Sequence, residues 1–466
     1  MFGDAQEGNG IPGIAFGVVK AGELAQIGTS GWADVDRRIP VSEDTVFRIA
    51  SMTKSITACC LLILRDDQII RLDDLVGEYV PELRGLDPLS ADSPPLTVRH
   101  LLTMSGGWVE DDPWADRQLA MSGPDFSRLL ESPLSFDRAP GIEFEYSNLG
   151  YAVVGRIVET ASHTPLPQFA QERLFGPLGM TSTTFEVSEV APDRRARGYR
   201  RAADGWREEE ALGHGAFGAM GGLWTTVPDF AKYVAFHLAA WPPRDEPELG
   251  TLRRSSAREM QQPQRMVRSG RATRPELSGL GYGMGLMGAQ HQRLGRVVSH
   301  SGGLPGFGSH VEWLPDCGVG VVAFANLTYA PMRVAVAAAL DTLDQMGCLV
   351  TGTEVAGADL LRGQELVGTL YRMWDADILT EAAADNLFLD RDLATRAKDF
   401  ADLRATQGQC TQIGQLQVEG RLRGTWTMTC ERGQINCRLW LSPTNPPRIQ
   451  VLALGPASSG GESAEQ

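Results

Sequence analysis

Lysine is scarce in this 466-residue chain: Lys20, Lys54, Lys232 and Lys398 are the only four among 43 basic residues, the rest being arginine. A bias in the coding DNA explains most of this, and arginine has its own chemistry. The scarcity still makes a lysine inside a motif harder to dismiss as coincidence. Basic residues are also outnumbered, because 58 acidic side chains leave a formal net charge of −15. A chain this acidic is poorly suited to hold a nucleic-acid backbone through its overall field. Long apolar runs are missing. The stretches around Ala58–Leu64 and Val319–Leu327 fall far short of the ~20 residues a membrane-spanning helix needs, so no transmembrane segment is expected. The opening MFGDAQEGNGIPG has neither a basic nor an apolar region and shows no secretory signal. The chain is therefore expected to be cytoplasmic, or periplasmic or secreted if a leader has been trimmed.

Metal motifs are absent as well. There is no CxxC and no HExxH, and the seven histidines lack ligand spacing, so neither a metal nor another cofactor is expected. Seven cysteines cannot all pair. Cys59 and Cys60 sit in an apolar helical pattern and read as small core residues. Cys430 and Cys437 flank ERGQIN. A two-residue turn at Gly433-Gln434 would set them opposite each other, which makes a cross-strand bridge one expectation and free thiols the other.

What is present is an ordinary globular composition, 42% hydrophobic and 22% charged, which excludes disorder and collagen. Residues 11–40 alternate short apolar runs with turn residues, as antiparallel strands do. From Ser51 the period changes: Ile56, Cys59, Cys60, Ile63 and Leu64 mark a buried helix. Helices then dominate to about Leu280, including TVRHLLTM, GYAVVGRIVETAS, LPQFAQERLF and VPDFAKYVAFHLAA. Strand signals return in GRVVSHSG and GVGVVAFANL, and PMRVAVAAALDTLDQM closes the segment as a helix. This order predicts one sheet assembled from both ends of a domain spanning 1–347, with a helical lobe between. LVTGTEVAGAD reads as a linker. A unit over 357–455 has helices first and then strands in IGQLQVEGRLR, GTWTMTCE, QINCRLWLSP and RIQVLAL. Its Trp374, Trp426 and Trp440 read as core. Residues 456–466 read as a disordered tail.

Three motifs carry chemistry. In Ser51-Met52-Thr53-Lys54, positions i and i+3 share a helix face, so the amine can activate the otherwise unreactive hydroxyl. The Ser51 N–H, at a helix start, is free to hold a developing oxyanion. In Tyr146-Ser147-Asn148 the tyrosine could act as base if a cation such as Lys54 lowered its pKa. Asn148 could accept from the lysine and donate to a substrate carbonyl. In His300-Ser301-Gly302-Gly303 a glycine-rich strand lets substrate backbone approach, Gly303 N–H could be the second oxyanion donor, and His300 and Ser301 would face a substrate carboxylate or carbonyl. Each motif alone has a plain structural explanation, as helix cap, core tyrosine or bulged strand.

Together, in the order SxxK, YxN, HxG, they resemble the serine β-lactamase and penicillin-binding-protein superfamily. The resemblance is to the branch of class C β-lactamases, D-alanyl-D-alanine carboxypeptidases, D-aminopeptidases and related esterases. TVRHLLTMSGG, PGIEFEYSNLGYAVVGRIVE, LFGPLGMTSTTF, AMGGLWTTVPDFAKYVAF and HSGGLPGFGSHVEWLPDCGVGVVAFAN extend it over about residues 11–345. The resemblance implies an α/β (α+β) β-lactamase-like domain with an antiparallel sheet and a helical lobe. It also implies that Ser51 is acylated, that Lys54 and Tyr146 share general-base duty with Tyr146 protonating the leaving group, and that the N–H groups of Ser51 and Gly303 form the oxyanion hole. Asn148, His300, Ser301 and Gly302 would bind substrate. The expected function is a serine hydrolase acting on a peptide, amide or ester. The alternatives are a β-lactamase, or a penicillin-binding sensor or scaffold without turnover. H-S-G in place of K-T-G favours the carboxypeptidase, aminopeptidase and esterase side of the branch. The helix usual before the first strand is expected to be missing, since Met1–Gly10 is short and polar. The C-terminal unit lies outside the resemblance. It is expected to be a small α+β domain, cystatin- or NTF2-like, or else β-barrel-like, and could pair chains into a homo-oligomer.

Overall fold

A computed structural model describes residues 2–248, 250–267, 274–352 and 356–457, in two compact units, Met1–Thr351 and Gly352–Gln466. The first is built on β1 (Gly13–Lys20), β2 (Glu23–Asp34), β3 (Ile39–Pro40), β4 (Arg265–Met266), β5 (Leu277–Tyr282), β6 (Met287–His291), β7 (Gly295–Leu304), β8 (Phe307–Leu314) and β9 (Val319–Ala325). They form one antiparallel sheet in the order β3-β2-β1-β9-β8-β7-β6-β5-β4. The join between the two ends of the segment is β1 against β9, with Ile14 opposite Ala325. Helices α1 (Phe2–Gly8), α2 (Thr53–Asp66), α3 (Asn148–Ser162), α4 (Val227–Leu238) and α5 (Met332–Gln345) pack around it.

Two cores lie against opposite faces of this sheet. On β9, Val322 and Phe324 enter the core shared with α2, α3 and α4, while Val319, Val321, Ala323 and Ala325 enter the one shared with α5. Burial on both faces is why VGVVAFA reads as an unbroken apolar run. Helix α2 is buried from Thr53 to Leu64 on all sides. Its hydroxyls are spent internally: Thr57 Oγ1 donates to Ala219 O at 2.6 Å and Ser55 Oγ to Met52 O at 2.9 Å.

The structure departs from expectation at several points. A helix does precede the first strand, because buried Phe2 stacks on Phe16 with ring centroids 3.9 Å apart. Tertiary packing, which composition does not report, makes that short polar segment helical. Strand β8 carries Ser309, His310 and Glu312 in buried positions, where each has a polar partner, so its sequence does not look like a central strand. A hairpin of Gly198–Ala202 with Gly205–Glu209 interrupts the helical lobe. Between β4 and β5, residues 268–273 lie outside the described residues.

The second unit has α6 (Ala358–Arg372) and α7 (Leu393–Gln407), with two shorter helices between them, followed by β10 (Cys410–Ile413), β11 (Gln417–Gly420), β12 (Arg423–Cys430), β13 (Gly433–Leu441) and β14 (Ile449–Pro456). Its sheet is antiparallel and open, β10-β12-β13-β14 with β11 also on β12, so α+β describes it and a closed barrel does not. The last strand runs through Pro456, one residue into the expected tail. Residues 458–466 of that tail lie outside the described residues. Trp426 is buried, and Trp374 packs on Phe400 with centroids 5.0 Å apart.

The β12–β13 turn is at Glu431-Arg432, so Cys430 faces Gly433 and Cys437 faces Trp426. The expected Cys430–Cys437 opposition is thus corrected by the register, and all seven cysteines are free thiols. Cys430 instead sits across from Cys410. Glu431 N–H donates to Gln409 O at 3.0 Å, which makes Cys410 and Cys430 a non-hydrogen-bonded pair. The Cα separation of such pairs, ~4.5 Å, lies within disulfide range. Oxidised glutathione should therefore link Cys410 to Cys430, the two thiols giving two protons and two electrons to the reagent, and leave Cys437 free. Peptide mapping without reduction reads the pairing, and a Cys430–Cys437 bond would contradict it.

Candidate active site

Ser51 lies in a single 3-10 turn, Ala50–Met52, that leads directly into α2. Ala50 holds a left-handed φ of 49°, a conformation that costs a non-glycine residue ~1–3 kcal/mol and turns the chain sharply just before Ser51. Strand β7 runs against this turn. A Cβ on Gly302 would lie 2.2 Å from Ile49 O and 2.3 Å from Ser309 Oγ, so only glycine allows the approach. Ser309 Oγ fastens the same place by donating to Ile49 O at 2.7 Å.

Lys54, one turn further on, is fully buried. Its Nζ donates to Asn148 Oδ1 at 2.6 Å and to Met220 O at 2.9 Å, and lies 3.0 Å from Ser51 Oγ. An ammonium has three donors, and all three are met here. When Lys54 is neutral, two N–H groups can stay on Asn148 and Met220 while the lone pair accepts from the Ser51 hydroxyl. The cradle fits both protonation states. Burial lowers the Lys54 pKa to about 8, against an upward pull from Asp112, Asp116 and Asp111.

Those three aspartates occupy the loop between Gly107 and Pro124. Asp111 caps α3, accepting from Asn148 N at 2.7 Å and Leu149 N at 2.9 Å. Asp112 Oδ1 accepts from Asn148 Nδ2 at 2.6 Å. Asp116 Oδ2 accepts from the Tyr329 hydroxyl at 2.6 Å, and burial raises the Asp116 pKa to about 6. The sequence analysis gave EDDPWAD no chemical part. Its only signal was a run of carboxylates beside a tryptophan.

Tyr146 lies under Lys54, whose Nζ is 4.9 Å from the ring centroid. Burial, followed by the charge of Asp112, pushes its pKa well above the ordinary phenol value, while a hydrogen bond with Ser51 works the other way. The expectation of a lowered pKa is corrected: Tyr146 rests as the neutral phenol. His300 is buried, with Nδ1 2.6 Å from Ser301 O and Nε2 3.2 Å from the Tyr282 hydroxyl. The carbonyl can only accept, so Nδ1 carries the proton and Nε2 accepts from Tyr282. Burial, then Lys54, lowers its pKa to about 3. The imidazole is neutral and both nitrogens are engaged, so it offers no charge to a substrate carboxylate. Ser301 is exposed, with Oγ 2.8 Å from His310 Nδ1. Gly303 is part-exposed on the same strand. Among the described residues no group of three or more His, Cys, Asp or Glu is placed to hold a metal ion.

A family model described as Beta-lactamase matches residues 1–345. The chain belongs to the Beta-lactamase family. It is 32% identical over 240 residues to Protein Rv1367c of Mycobacterium tuberculosis, covering 46% of this chain and 58% of that protein. It is 26% identical over 345 residues to Protein flp of Staphylococcus aureus, covering 71% of this chain and 63% of that protein. The chain thus spans less than two thirds of the length of both relatives. Two solved structures share the fold. One is an octameric penicillin-binding protein homologue from Pyrococcus abyssi (TM-score 0.62, 20% identity, 95% of each chain). The other is a penicillin-binding protein from Bacillus halodurans (TM-score 0.60, 22% identity, 74% of this chain and 100% of that one). Among the described residues no helix is long and apolar enough to cross a membrane.

The Beta-lactamase-family site should be sensitive to the β7 contact. Gly302→Ala must push β7 off the Ile49 carbonyl and should cost ~1–3 kcal/mol of stability in denaturant unfolding. It should also slow labelling of Ser51 by a fluorophosphonate, while unchanged labelling would detach this contact from the site.

Proposed function

We propose that the chain is a serine acyl-transfer hydrolase that cleaves an ester, amide or peptide bond through an acyl-Ser51 intermediate. The observation that carries this is the 3.0 Å approach of the buried Lys54 Nζ to Ser51 Oγ, within a cradle that accepts lysine in either charge state. Neutral Lys54 takes the hydroxyl proton as Ser51 Oγ attacks the substrate carbonyl carbon. The N–H groups of Ser51 and Gly303 receive the developing oxyanion; loss of one such donor costs ~3 kcal/mol of transition-state stabilisation. As the tetrahedral intermediate collapses, the Tyr146 phenol gives its proton to the leaving group and is reprotonated by the Lys54 ammonium. Water then attacks the acyl carbon with neutral Lys54 again as base, the acyl–Oγ bond breaks, and the Lys54 ammonium returns the proton to Ser51 Oγ as the acid leaves.

The neutral His300 and the three nearby aspartates favour substrates without a carboxylate at this position. Neutral esters, amides and D-amino-acid amides are therefore placed ahead of β-lactams. Pairing of chains through the C-terminal unit belongs to the same reading, and light scattering on the purified chain reads it.

Fluorophosphonate or fluorescent penicillin should label Ser51, located by mass spectrometry, and Ser51→Ala should lose the label. Labelling that persists in that variant would overturn the nucleophile. A panel of nitrocefin, p-nitrophenyl esters, D-amino-acid amides and a D-Ala-D-Ala peptide should show turnover of an ester or amide. Nitrocefin turnover alone would make the chain a β-lactamase, and a stable label without turnover would make it a sensor. Because the base is lysine in its neutral form, the acylation rate should rise with pH through about 8. A flat profile from pH 6 to 10 would remove Lys54 from that role.

A further inference from the structure

We infer that Asp112 is a positioning residue for the Ser51–Lys54 pair, acting through the Asn148 amide; the inference rests on the reading of Ser51 as nucleophile. An asparagine amide can face its neighbours in either of two ways, and only one suits a lysine. With the carbonyl toward Lys54, Asn148 accepts from Nζ at 2.6 Å. With the amide reversed, its NH₂ would oppose the ammonium and could accept nothing from it. Asn148 is fully buried, so water does not set the choice. Asp112 does. Its carboxyl Oδ1 accepts from Asn148 Nδ2 at 2.6 Å, which holds the carbonyl on the lysine side.

This leads to the serine. Met220 O is fixed in the backbone and takes one N–H of Lys54. Asn148 Oδ1 takes the second, so the remaining position on Nζ is the one aimed at Ser51 Oγ. If the amide turned over, a neutral lysine would lose an acceptor and its lone pair would no longer be committed to the serine. Asp112 thus decides which proton Lys54 takes, and does so without touching Ser51. Asp111 has a different task, spent on the backbone N–H groups that open α3, and Asp116 is spent on Tyr329.

The inference is tested on the full chain by the rate of fluorophosphonate labelling of Ser51 from pH 6 to 10, in wild type, Asp112→Asn, Asp112→Ala, Asn148→Ala and the Asp112→Ala/Asn148→Ala pair. Thermal unfolding confirms that each variant is folded. The groups facing Lys54 besides Asp112 (Asp111, Asp116, His300 and the Tyr146 and Tyr151 rings) are the same in the Asp112 variants. Asp112→Ala should slow labelling by at least about tenfold, as loss of a charge-assisted hydrogen bond does. Asp112→Asn can still offer a carbonyl to Asn148. It should recover most of the rate, while its rising limb moves to lower pH by about one unit because an anion near the ammonium is gone. In the Asn148→Ala background Asp112→Ala should add less than about twofold. Full multiplication of the two single effects, or a limb that does not move in Asp112→Asn, would overturn the inference while leaving Ser51 as nucleophile. Absence of any Ser51 label in the wild type would overturn the functional reading and this inference with it.

Discussion

A fully buried lysine is the constraint around which the site is arranged. An ammonium removed from water must either lose its proton or find acceptors for every N–H, and Lys54 is balanced between the two. Burial pulls its pKa down to about 8, and three aspartates pull against that. Burial is the stronger of the two. The surrounding acceptors are a backbone carbonyl, an asparagine carbonyl and a serine hydroxyl. Only the hydroxyl can reverse its hydrogen-bond direction. The one exchangeable partner of the lysine is thus Ser51.

Everything close to that pair serves to keep distances short. The left-handed Ala50 and the missing side chain at Gly302 bring a strand edge and a helix start together without intervening atoms. The same rigidity accounts for His300. A histidine whose two nitrogens are committed to Ser301 O and the Tyr282 hydroxyl is a wall, not a ligand. Charge near Ser51 therefore comes from the lysine and from carboxylates.

Much of this was legible in the sequence where a local period or a fixed spacing carried it. Lys54 is three residues from Ser51 on an apolar helix, and that spacing alone places amine and hydroxyl on one face. The run GVGVVAFANL reads as an apolar strand, and the structure buries that strand on both faces. What stayed hidden depends on partners distant in the chain. Strand β8 looks too polar to be central until Ser309, His310 and Glu312 are seen to be paired. Phe2 makes a helix of a polar segment by finding Phe16. Asp112 looks like any loop carboxylate until Asn148, 36 residues later, turns its amide toward it. The cysteine register failed for a simpler reason: a turn moved by two residues changes every cross-strand neighbour.

The pairing of β1 with β9 has a consequence for biosynthesis. Ile14 emerges from the ribosome more than three hundred residues ahead of Ala325, its partner. At ≈ 5–20 residues per second that gap lasts for tens of seconds. Throughout it the apolar strand GIAFGVVK has one open edge, and the Ser51 turn has no β7 beside it. The nascent protein therefore carries Ser51 on its turn well before the strand that packs against that turn has been made.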